Sequence, residues 1–425
     1  MKTKDHNILF VVFIFVISAL FFSCEKGETI IPKEDSIKKT IGRLRSYEEA
    51  LSLAKRSVIL LRDKNTKAQD NRPIDNWFVI EGASTKSGGR DTLVYVFNFA
   101  DSSGFSIISA NPSTVPILSV TEAGHLTLGE SSGVPGFDSY LEGVLMELDR
   151  LNPDPTLVPD DSLELYYYFE YDTVGTFRSP ILGQTKWGQG GVFGAFCPNN
   201  TSGCFATALG QIMKSFFRPT QFSALCDMSN VYSFGTVISP HWGYIQYHYM
   251  NHSNTKICSP YHNEISALLR DIGEYASSDY RTDGTGTWTN SNQIVPTLQH
   301  YGFTSSTLVS ADTDTMISSL DSGYPICMFS PGHFYVADGY KDYTITRYKY
   351  ERVIGEYGYT LTGSVVTEDI HAMHINWGWD GNCNGYFAFG TYNTANAEEY
   401  DTNTHNVSHN YTNGAQMVYN IHPTN

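Results

Sequence analysis

A helical pattern of apolar residues begins near Cys204. Apolar side chains recur at steps of three and four residues, at Ala208, Leu209, Ile212, Met213 and Phe216. This spacing is typical of an α-helix with one buried face, and Arg218-Pro219 ends the run. The sequence therefore predicts a buried helix whose first turn holds Cys204.

The N-terminal part of the chain mixes helical and strand patterns. Ser46-Tyr47-Glu48-Glu49 is a capping-box sequence ahead of an apolar-periodic run, which predicts a helix. Strands are expected near Trp77–Ile80, Leu93–Phe99 and Ser106–Ser109, and a second helix from about Phe137 to Leu151. These elements predict a small α+β domain.

A boundary between two domains is expected near residue 175. Prolines and aspartates form an exposed acidic linker at Pro153, Asp154, Pro155, Pro159, Asp160 and Asp161. Strand-forming residues from Tyr166 to Tyr171 follow. Thr173–Pro180 is rich in small residues, which is typical of a cleavable junction.

The first residues have the pattern of an export signal. Lys2 and Lys4 precede an uncharged, mostly apolar run from Ile8 to Phe22, which is too short to predict a membrane-spanning helix. Ser23-Cys24 resembles a bacterial lipoprotein processing site, after which Cys24 would carry the lipid. We expect an exported protein anchored to the outer membrane or cell surface; a plain cleaved signal and secretion are the alternative.

Composition narrows the class of partner. The chain has 425 residues, of which 41% are hydrophobic and 17% charged, enough for two globular domains. A net charge of −16 argues against nucleic acid, because phosphates would be repelled. The cysteines other than Cys24 and Cys204 lack CxxC spacing, so no zinc site is predicted, and their disulfide pairing stays open.

Cys204 has the setting of a reactive thiol. A helix N-terminus presents unpaired N–H groups and a positive dipole end, which favour thiolate. His333, at the start of an expected strand, could serve as its base, and Asn376 could hydrogen-bond and orient the imidazole while Trp377 shields that bond from water. Gln189 could direct its amide N–H at an oxyanion. Without these partners, a cysteine here is more often a small buried apolar residue.

The order of these residues resembles papain-like cysteine peptidases. His333 follows Cys204 by 129 positions (333 − 204), and Asn-Trp-Gly and Gly-Tyr-Phe sequences come later. Ordered blocks of residues resemble the streptopain family: Trp187-x-Gln189, Gly203-Cys204-x-Ala206-Thr207-Ala208, Gly332-His333, Val336-x-Asp338-Gly339-Tyr340 and Asn376-Trp377-Gly378-Trp379-x-Gly381. Val96–Phe99 followed by Gly104–Ala110 is similar to the pro-region hairpin of such precursors.

The resemblance implies an α+β fold in which a two-lobed, papain-like catalytic domain at residues 176–425 follows a signal at 1–24 and a small α+β pro-region at 25–175. It implies a secreted cysteine endopeptidase that is made as an inactive precursor and needs neither cofactor nor metal. Its partners would be protein or peptide substrates and its own inhibitory pro-region. Cys204 would be the nucleophile, His333 the general base and acid, and Gln189 part of the oxyanion hole. Asn376 would orient His333, and Trp377 would shield the imidazole.

The sequence departs from the family pattern at two places, and two other functions stay open. Phe334 stands where the family usually has a small residue, and the stretch between Pro325 and Gly332 is short; both flank the expected cleft and leave specificity open. A cysteine-dependent transglutaminase or amidase would use the same chemistry on another acceptor. A catalytically silent, surface-binding lipoprotein is the non-enzymatic alternative. Substrate preference and oligomeric state stay open.

Overall fold

The computed structural model describes residues 44–61, 72–82, 91–111, 114–150, 163–172, 177–243, 245, 260–284, 286–330, 332–353, 360–361, 366–393, 408–410 and 414–424. The predicted signal, Cys24 and the acidic linker lie outside the described residues, as do residues 173–176 of the predicted junction. Lys38–Asn425 form one compact unit. Within the described ranges, no helix is long and apolar enough to cross a membrane.

Helices occur in both halves of the described chain. They are α1 (Tyr47–Ser57), α2 (Pro135–Arg150), α3 (Cys204–Ser215), α4 (Pro260–Tyr275), α5 (Ile294–His300) and α6 (Thr313–Asp321). Short 3₁₀ turns cover Val58–Leu61, Ala100–Ser102 and Ser291–Gln293.

Strands are numbered in chain order. They are β1 (Ile74–Glu81), β2 (Thr92–Phe99), β3 (Phe105–Ser109), β4 (Ile117–Thr121), β5 (Leu163–Asp172), β6 (Phe177–Arg178), β7 (Phe222–Ser223), β8 (Val237–Ile238), β9 (Asp279–Tyr280), β10 (Thr287–Trp288), β11 (Phe303–Thr304), β12 (Val309–Ser310), β13 (Ile326–Ser330), β14 (His333–Val353), β15 (Thr360–Leu361), β16 (Val366–Asn376), β17 (Gly385–Ala388), β18 (Thr391–Asn393), β19 (Ser408–Asn410), β20 (Gln416–Val418) and β21 (His422–Pro423).

Local sequence signals place most N-terminal elements. Ser46 caps α1: its Oγ accepts from the Glu49 N–H at 3.3 Å, and a Glu49 carboxylate oxygen accepts from the Ser46 N–H at 2.7 Å. The three strands predicted before residue 110 and the helix predicted from Phe137 are confirmed as β1, β2, β3 and α2. β4 was not predicted from the sequence; its five residues, Ser119 and Thr121 among them, are all buried.

One large sheet runs through both halves of the chain. Its described strands follow the order β1-β2-β3-β4-β17-β16-β14-β13-β20-β12, and β5, β6 and β15 also pair with β14. The N-terminal strands join this sheet where β4 pairs antiparallel with β17, with Val120 opposite Tyr386. The predicted pro-region and the predicted catalytic domain therefore share a hydrogen-bonded sheet.

The sheet separates two apolar cores. Successive side chains of a strand point to opposite faces. Phe334 and Val336 of β14 accordingly join the core around α3, whereas Tyr335 and Ala337 join the core that contains Phe137 of α2. The N-terminal half thus covers the face of the sheet opposite α3.

Candidate active site

Gly203 immediately precedes α3, the helix that begins at Cys204. Its backbone has φ 83° and ψ 154°, a conformation that favours glycine, and an added Cβ would lie 2.9 Å from the Cβ of Thr287. No side chain caps the helix at this position. Cys204 is the first helical residue, as the sequence predicts, so it lies at the end of α3 where main-chain N–H groups lack partners within the helix.

Cys204 and His333 interact directly and shift each other's protonation. Burial acts to raise the pKa of the Cys204 thiol, but the charge and hydrogen bond of His333, with the main-chain N–H groups of Phe334 and Phe205, lower that pKa below its ordinary value. Burial acts to lower the pKa of His333, but Cys204 and the Trp377 main chain raise it. Both directions favour a thiolate–imidazolium pair.

The orienting hydrogen bond of His333 goes to the main chain. His333 begins β14 opposite Ser330 of β13, and its Nε2 lies 2.9 Å from the carbonyl oxygen of Trp377. The imidazolium Nε2–H donates to that carbonyl, which leaves the other ring nitrogen for Cys204. The base is thus held at both nitrogens.

The structure corrects the expected contact of Asn376. The Asn376 side chain is not the partner of His333 Nε2, which is the Trp377 carbonyl. Instead, Nδ2 of Asn376 donates to the carbonyl of Thr185 at 2.9 Å, and its Oδ1 accepts from the Gly378 N–H at 3.0 Å. Asn376 ends β16, so its side chain turns back onto the following peptide. Asn376 therefore stabilises the peptide that follows Trp377, and it acts on His333 only through the carbonyl of that peptide.

The side chain of Trp377 packs beside the imidazole. Its indole N–H donates to the carbonyl of Cys383 at 3.0 Å, and its ring centroid lies 6.5 Å from that of His333. Tyr335 and Phe387 flank the indole at 4.8 and 5.3 Å. This aromatic layer lies beside the His333–Trp377 hydrogen bond, which is the position expected of a residue that shields the bond from water.

Gln189 carries a buried amide with an unused donor. The residue is 8% exposed, and its Nε2 has no hydrogen-bond partner among the described residues. Its main-chain carbonyl accepts from the N–H and the hydroxyl of Ser202 at 2.8 and 3.1 Å. Since Ser202 lies two residues before Cys204, these bonds tie the Gln189 segment to the start of α3. A buried free donor here suits the binding of a substrate oxygen.

Phe334 is buried in the core on the α3 side of the sheet. It is 4% exposed, and its ring packs against Phe205 at 5.2 Å and Phe329 at 4.7 Å. The period-two alternation of β14 directs it there. The residue that follows His333 thus serves the packing of the sheet on α3.

The first turn of α2 lies on the imidazole. A Cβ added to Gly136 would be 2.1 Å from Cδ2 of His333 and 2.8 Å from Cε3 of Trp377, so only glycine fits this approach. With α2 in place, His333 is 3% exposed. Helical periodicity predicts α2, but it carries no information on this contact with a residue almost 200 positions later (333 − 136 = 197).

Residues 187–387, which contain Gln189, Cys204, His333, Asn376 and Trp377, match the sequence profile of the Peptidase C10 family. This segment belongs to the Peptidase C10 family. The resemblance to the streptopain family is thereby confirmed, and the protein is a cysteine-type peptidase. No curated protein matches the chain.

Solved structures of related fold come from Prevotella intermedia. A prointerpain A fragment with a cysteine-to-alanine substitution matches with a TM-score of 0.50 and 18% identity, over 81% of this chain and 97% of that one. Active wild-type interpain A matches with a TM-score of 0.35 and 19% identity, over 58% of this chain and 95% of that one. The first match confirms the predicted α+β, papain-like fold class.

Gln211 lies in this site but was not predicted from the sequence. Gln211 lies seven positions after Cys204 on α3 and is wholly buried. Residues seven apart share a helix face. The signal was a polar side chain inside an apolar-periodic run, on the same face as the reactive cysteine.

Proposed function

We propose that the protein hydrolyses peptide bonds through a covalent acyl-enzyme on Cys204. The observation that carries this proposal is the Cys204–His333 pair, in which the thiol pKa is lowered and the imidazole pKa is raised. The Cys204 thiolate attacks the peptide carbonyl carbon, and a sulfur–carbon bond forms as the carbonyl oxygen becomes an oxyanion. The Cys204 N–H and the free Nε2 of Gln189 stabilise that oxyanion.

His333 completes the cycle by moving protons. The imidazolium gives its proton to the leaving amine as the carbon–nitrogen bond breaks, which leaves a thioester on Cys204. Neutral His333 then takes a proton from water, the resulting hydroxide attacks the thioester, and the acid product leaves as Cys204 returns to thiolate. The Trp377 carbonyl holds the ring in one orientation through both transfers. The cycle needs no cofactor.

We further propose that residues 25–175 keep the enzyme inactive in a precursor. The contact of Gly136 with His333 supports this, because a substrate needs the space beside the imidazole that the α2 main chain fills. The pairing of β4 with β17 supports it too, since it anchors the N-terminal half to the catalytic sheet. The matched prointerpain A fragment is named as a precursor, and the match covers 81% of this chain.

A partly buried charge network adds a third attachment between the two halves. Glu122, just after β4, has one carboxylate oxygen 2.8 Å from Nζ of Lys186 and the other 3.3 Å from Nε2 of His374. Nδ1 of the same histidine lies 2.6 Å from Asp338 of β14. A carboxylate of the predicted pro-region is thus bound by two cations of the predicted catalytic domain.

Substitution of the nucleophile tests the hydrolysis proposal together with our proposal that the enzyme removes its own pro-region. We expect the full-length Cys204→Ala variant to stay unprocessed and to lose peptide hydrolysis by a factor on the order of 10³ or more. Cys226→Ala, which removes a half-buried cysteine of the same lobe, is the matched control and should mature and cleave normally. Processing is followed by mass spectrometry and hydrolysis with a peptide library, each with and without a thiol-alkylating inhibitor.

Three outcomes would contradict the proposals separately. Normal maturation of Cys204→Ala in a protease-free preparation would exclude self-processing. Transfer of the acyl group to added amines in preference to water would favour the transglutaminase or amidase alternative. Absence of inhibitor-sensitive cleavage by the wild type would leave the silent binding lipoprotein.

A further inference from the structure

Gln211 is a polar residue in an otherwise apolar part of α3. Its neighbours Leu209 and Ile212 belong to the core on this side of the sheet, and Gln211 itself is 0% exposed. A buried amide without hydrogen-bond partners is costly, so its contacts define what the residue does.

The Gln211 amide pairs with two other segments. Its Oε1 accepts from the Trp187 main-chain N–H at 3.0 Å and from Nδ2 of Asn376 at 3.1 Å. Its Nε2 lies 3.3 Å from Oδ1 of Asn376, so the two side-chain amides form a reciprocal pair. One side chain on the nucleophile helix thereby joins two chain segments that come from elsewhere in the sequence.

Each partner leads directly to a group of the proposed reaction. Trp187 lies two residues before Gln189, the proposed oxyanion donor. Asn376 bonds through Oδ1 to the Gly378 N–H at 3.0 Å, which fixes the peptide that follows Trp377. The carbonyl of Trp377 belongs to that same peptide and is the oxygen that His333 binds.

We propose that Gln211 is the positioning residue that sets the distance and orientation of His333 and Gln189 relative to Cys204. It touches neither the thiolate nor the imidazole; it acts through Asn376 on the Trp377 carbonyl and through Trp187 on Gln189. The inference rests on the proposed roles of Cys204, His333 and Gln189. It predicts that loss of the amide weakens catalysis without removing a catalytic group.

Gln211→Met keeps the length of the side chain and removes the amide. The Trp187 N–H and the Asn376 amide would lose a buried partner, so Asn376 would hold the Trp377 carbonyl less firmly through its remaining bonds to Thr185 and Gly378. We expect kcat to fall by about 10- to 100-fold, the effect of a displacement near 1 Å, with KM changed much less. We also expect the acid limb of kcat/KM and of Cys204 alkylation by iodoacetamide to move to higher pH, because a loosened imidazolium stabilises the thiolate less.

Met213→Leu is the matched control, since Met213 is equally buried on the same helix and the substitution conserves volume. It should leave both pH profiles where they are. Thermal unfolding of each variant reports loss of stability separately. A Gln211→Met enzyme with the wild-type pH profiles, or with a change in KM alone, would overturn the inference.

A second variant keeps the test open if Gln211→Met does not fold. Gln211→Asn keeps a buried amide but shortens the side chain by one methylene, so the amide no longer reaches both Trp187 and Asn376. It should lower kcat several-fold and shift the acid limb in the same direction, and unchanged values would overturn the inference. If the proposed peptidase function itself is wrong, the wild type will show no Cys204-dependent cleavage. This result differs from the one that would overturn the inference on Gln211.

Discussion

The atom that orients His333 is a carbonyl oxygen of the main chain. The Asn-Trp-Gly sequence identified the segment, but the geometry at the end of β16 decides that the Trp377 carbonyl, and not the Asn376 side chain, faces Nε2. Whether a carbonyl or the neighbouring side chain points at a given partner depends on the last dihedral angles of the strand. Residue order does not encode those angles, so sequence could predict the segment but not the atom.

The coupled protonation of Cys204 and His333 gives a pH prediction. Below the lowered pKa of Cys204 the thiolate is protonated, so alkylation of the matured enzyme by iodoacetamide should slow only as pH falls through that value. Above the raised pKa of His333 the imidazole is neutral and cannot protonate the leaving amine. Peptide hydrolysis should therefore be bell-shaped in pH, whereas alkylation should show only the acid limb.

Initial rates of both reactions over a pH series check this prediction. The denatured enzyme is the control, since its cysteines should titrate near the ordinary thiol value of about 8.5. A folded enzyme whose Cys204 alkylates with that same midpoint would show that no ion pair forms.

Local sequence signals were sufficient to predict single helices and strands, but they did not predict which elements contact each other. The capping box at Ser46 and the apolar period after Cys204 predicted α1 and α3, because both are properties of neighbouring residues. β4 was missed, since its burial arises from β3 and β17 on either side. The approach of α2 to His333 is likewise a tertiary fact with no local signature.

The glycine at the start of α2 is predicted to control access to the nucleophile in the full-length protein. Gly136→Ala places a methyl group 2.1 Å from Cδ2 of His333, so α2 must move away. We expect Cys204 of this variant to react with iodoacetamide several-fold faster than in the wild-type precursor, measured at early times by mass spectrometry.

Met146→Ala is the matched control for that experiment. Met146 lies on the same helix but is 68% exposed, so its truncation should leave the alkylation rate unchanged. Equal rates for Gly136→Ala and the wild type would mean that α2 does not limit access to the cleft.

At the scale of the whole molecule, the two halves of the chain are joined by charge as well as by the sheet. Burial acts to raise the pKa of Glu122, but His374 and Lys186 lower it to about 2. Burial acts to lower the pKa of His374, but Asp338 and Glu122 raise it to about 9. Tyr386 packs edge-on against the His374 ring, and the ammonium of Lys341 lies over that tyrosine.

These shifts fix the sign of a pH effect on stability. A lowered carboxylate pKa contributes stability above the ordinary value of 4.5, which is lost as pH falls toward about 2. A raised histidine pKa contributes fully below the ordinary value of 6.5, and that stability is lost as pH rises through about 9. The network should therefore stabilise the precursor most between these two ordinary values.

Glu122→Gln tests the network in the unprocessed Cys204→Ala precursor. We expect it to lower the free energy of unfolding by about 1–3 kcal/mol within that pH window, since it leaves the buried His374 imidazolium with one partner fewer. The difference should shrink toward acid and toward alkaline pH. Thermal unfolding over a pH series measures it, with the exposed Glu130→Gln as control. A difference independent of pH would contradict an ionic origin.

Sequence could not predict this joining of the halves. Glu122 and His374 both lie outside the sequence blocks that carry the family resemblance. The ion pairs of His374 with Glu122 and Asp338 exist because β4, β14 and β16 lie close together in one sheet. That arrangement follows from the order of strands, which the pattern of single strands does not determine.

The pairing of β4 with β17 has a consequence for the molecule after processing. If residues 25–175 depart, Gly385–Ala388 become an edge strand whose N–H and C=O groups have lost their partner. Gly-Tyr-Phe-Ala contains neither charge nor proline, the features that protect natural edges from pairing with another chain. Removal of residues 25–175 would thus end the inhibition but would also make the enzyme prone to aggregate. The N-terminal half would therefore keep the protein soluble as well as inactive.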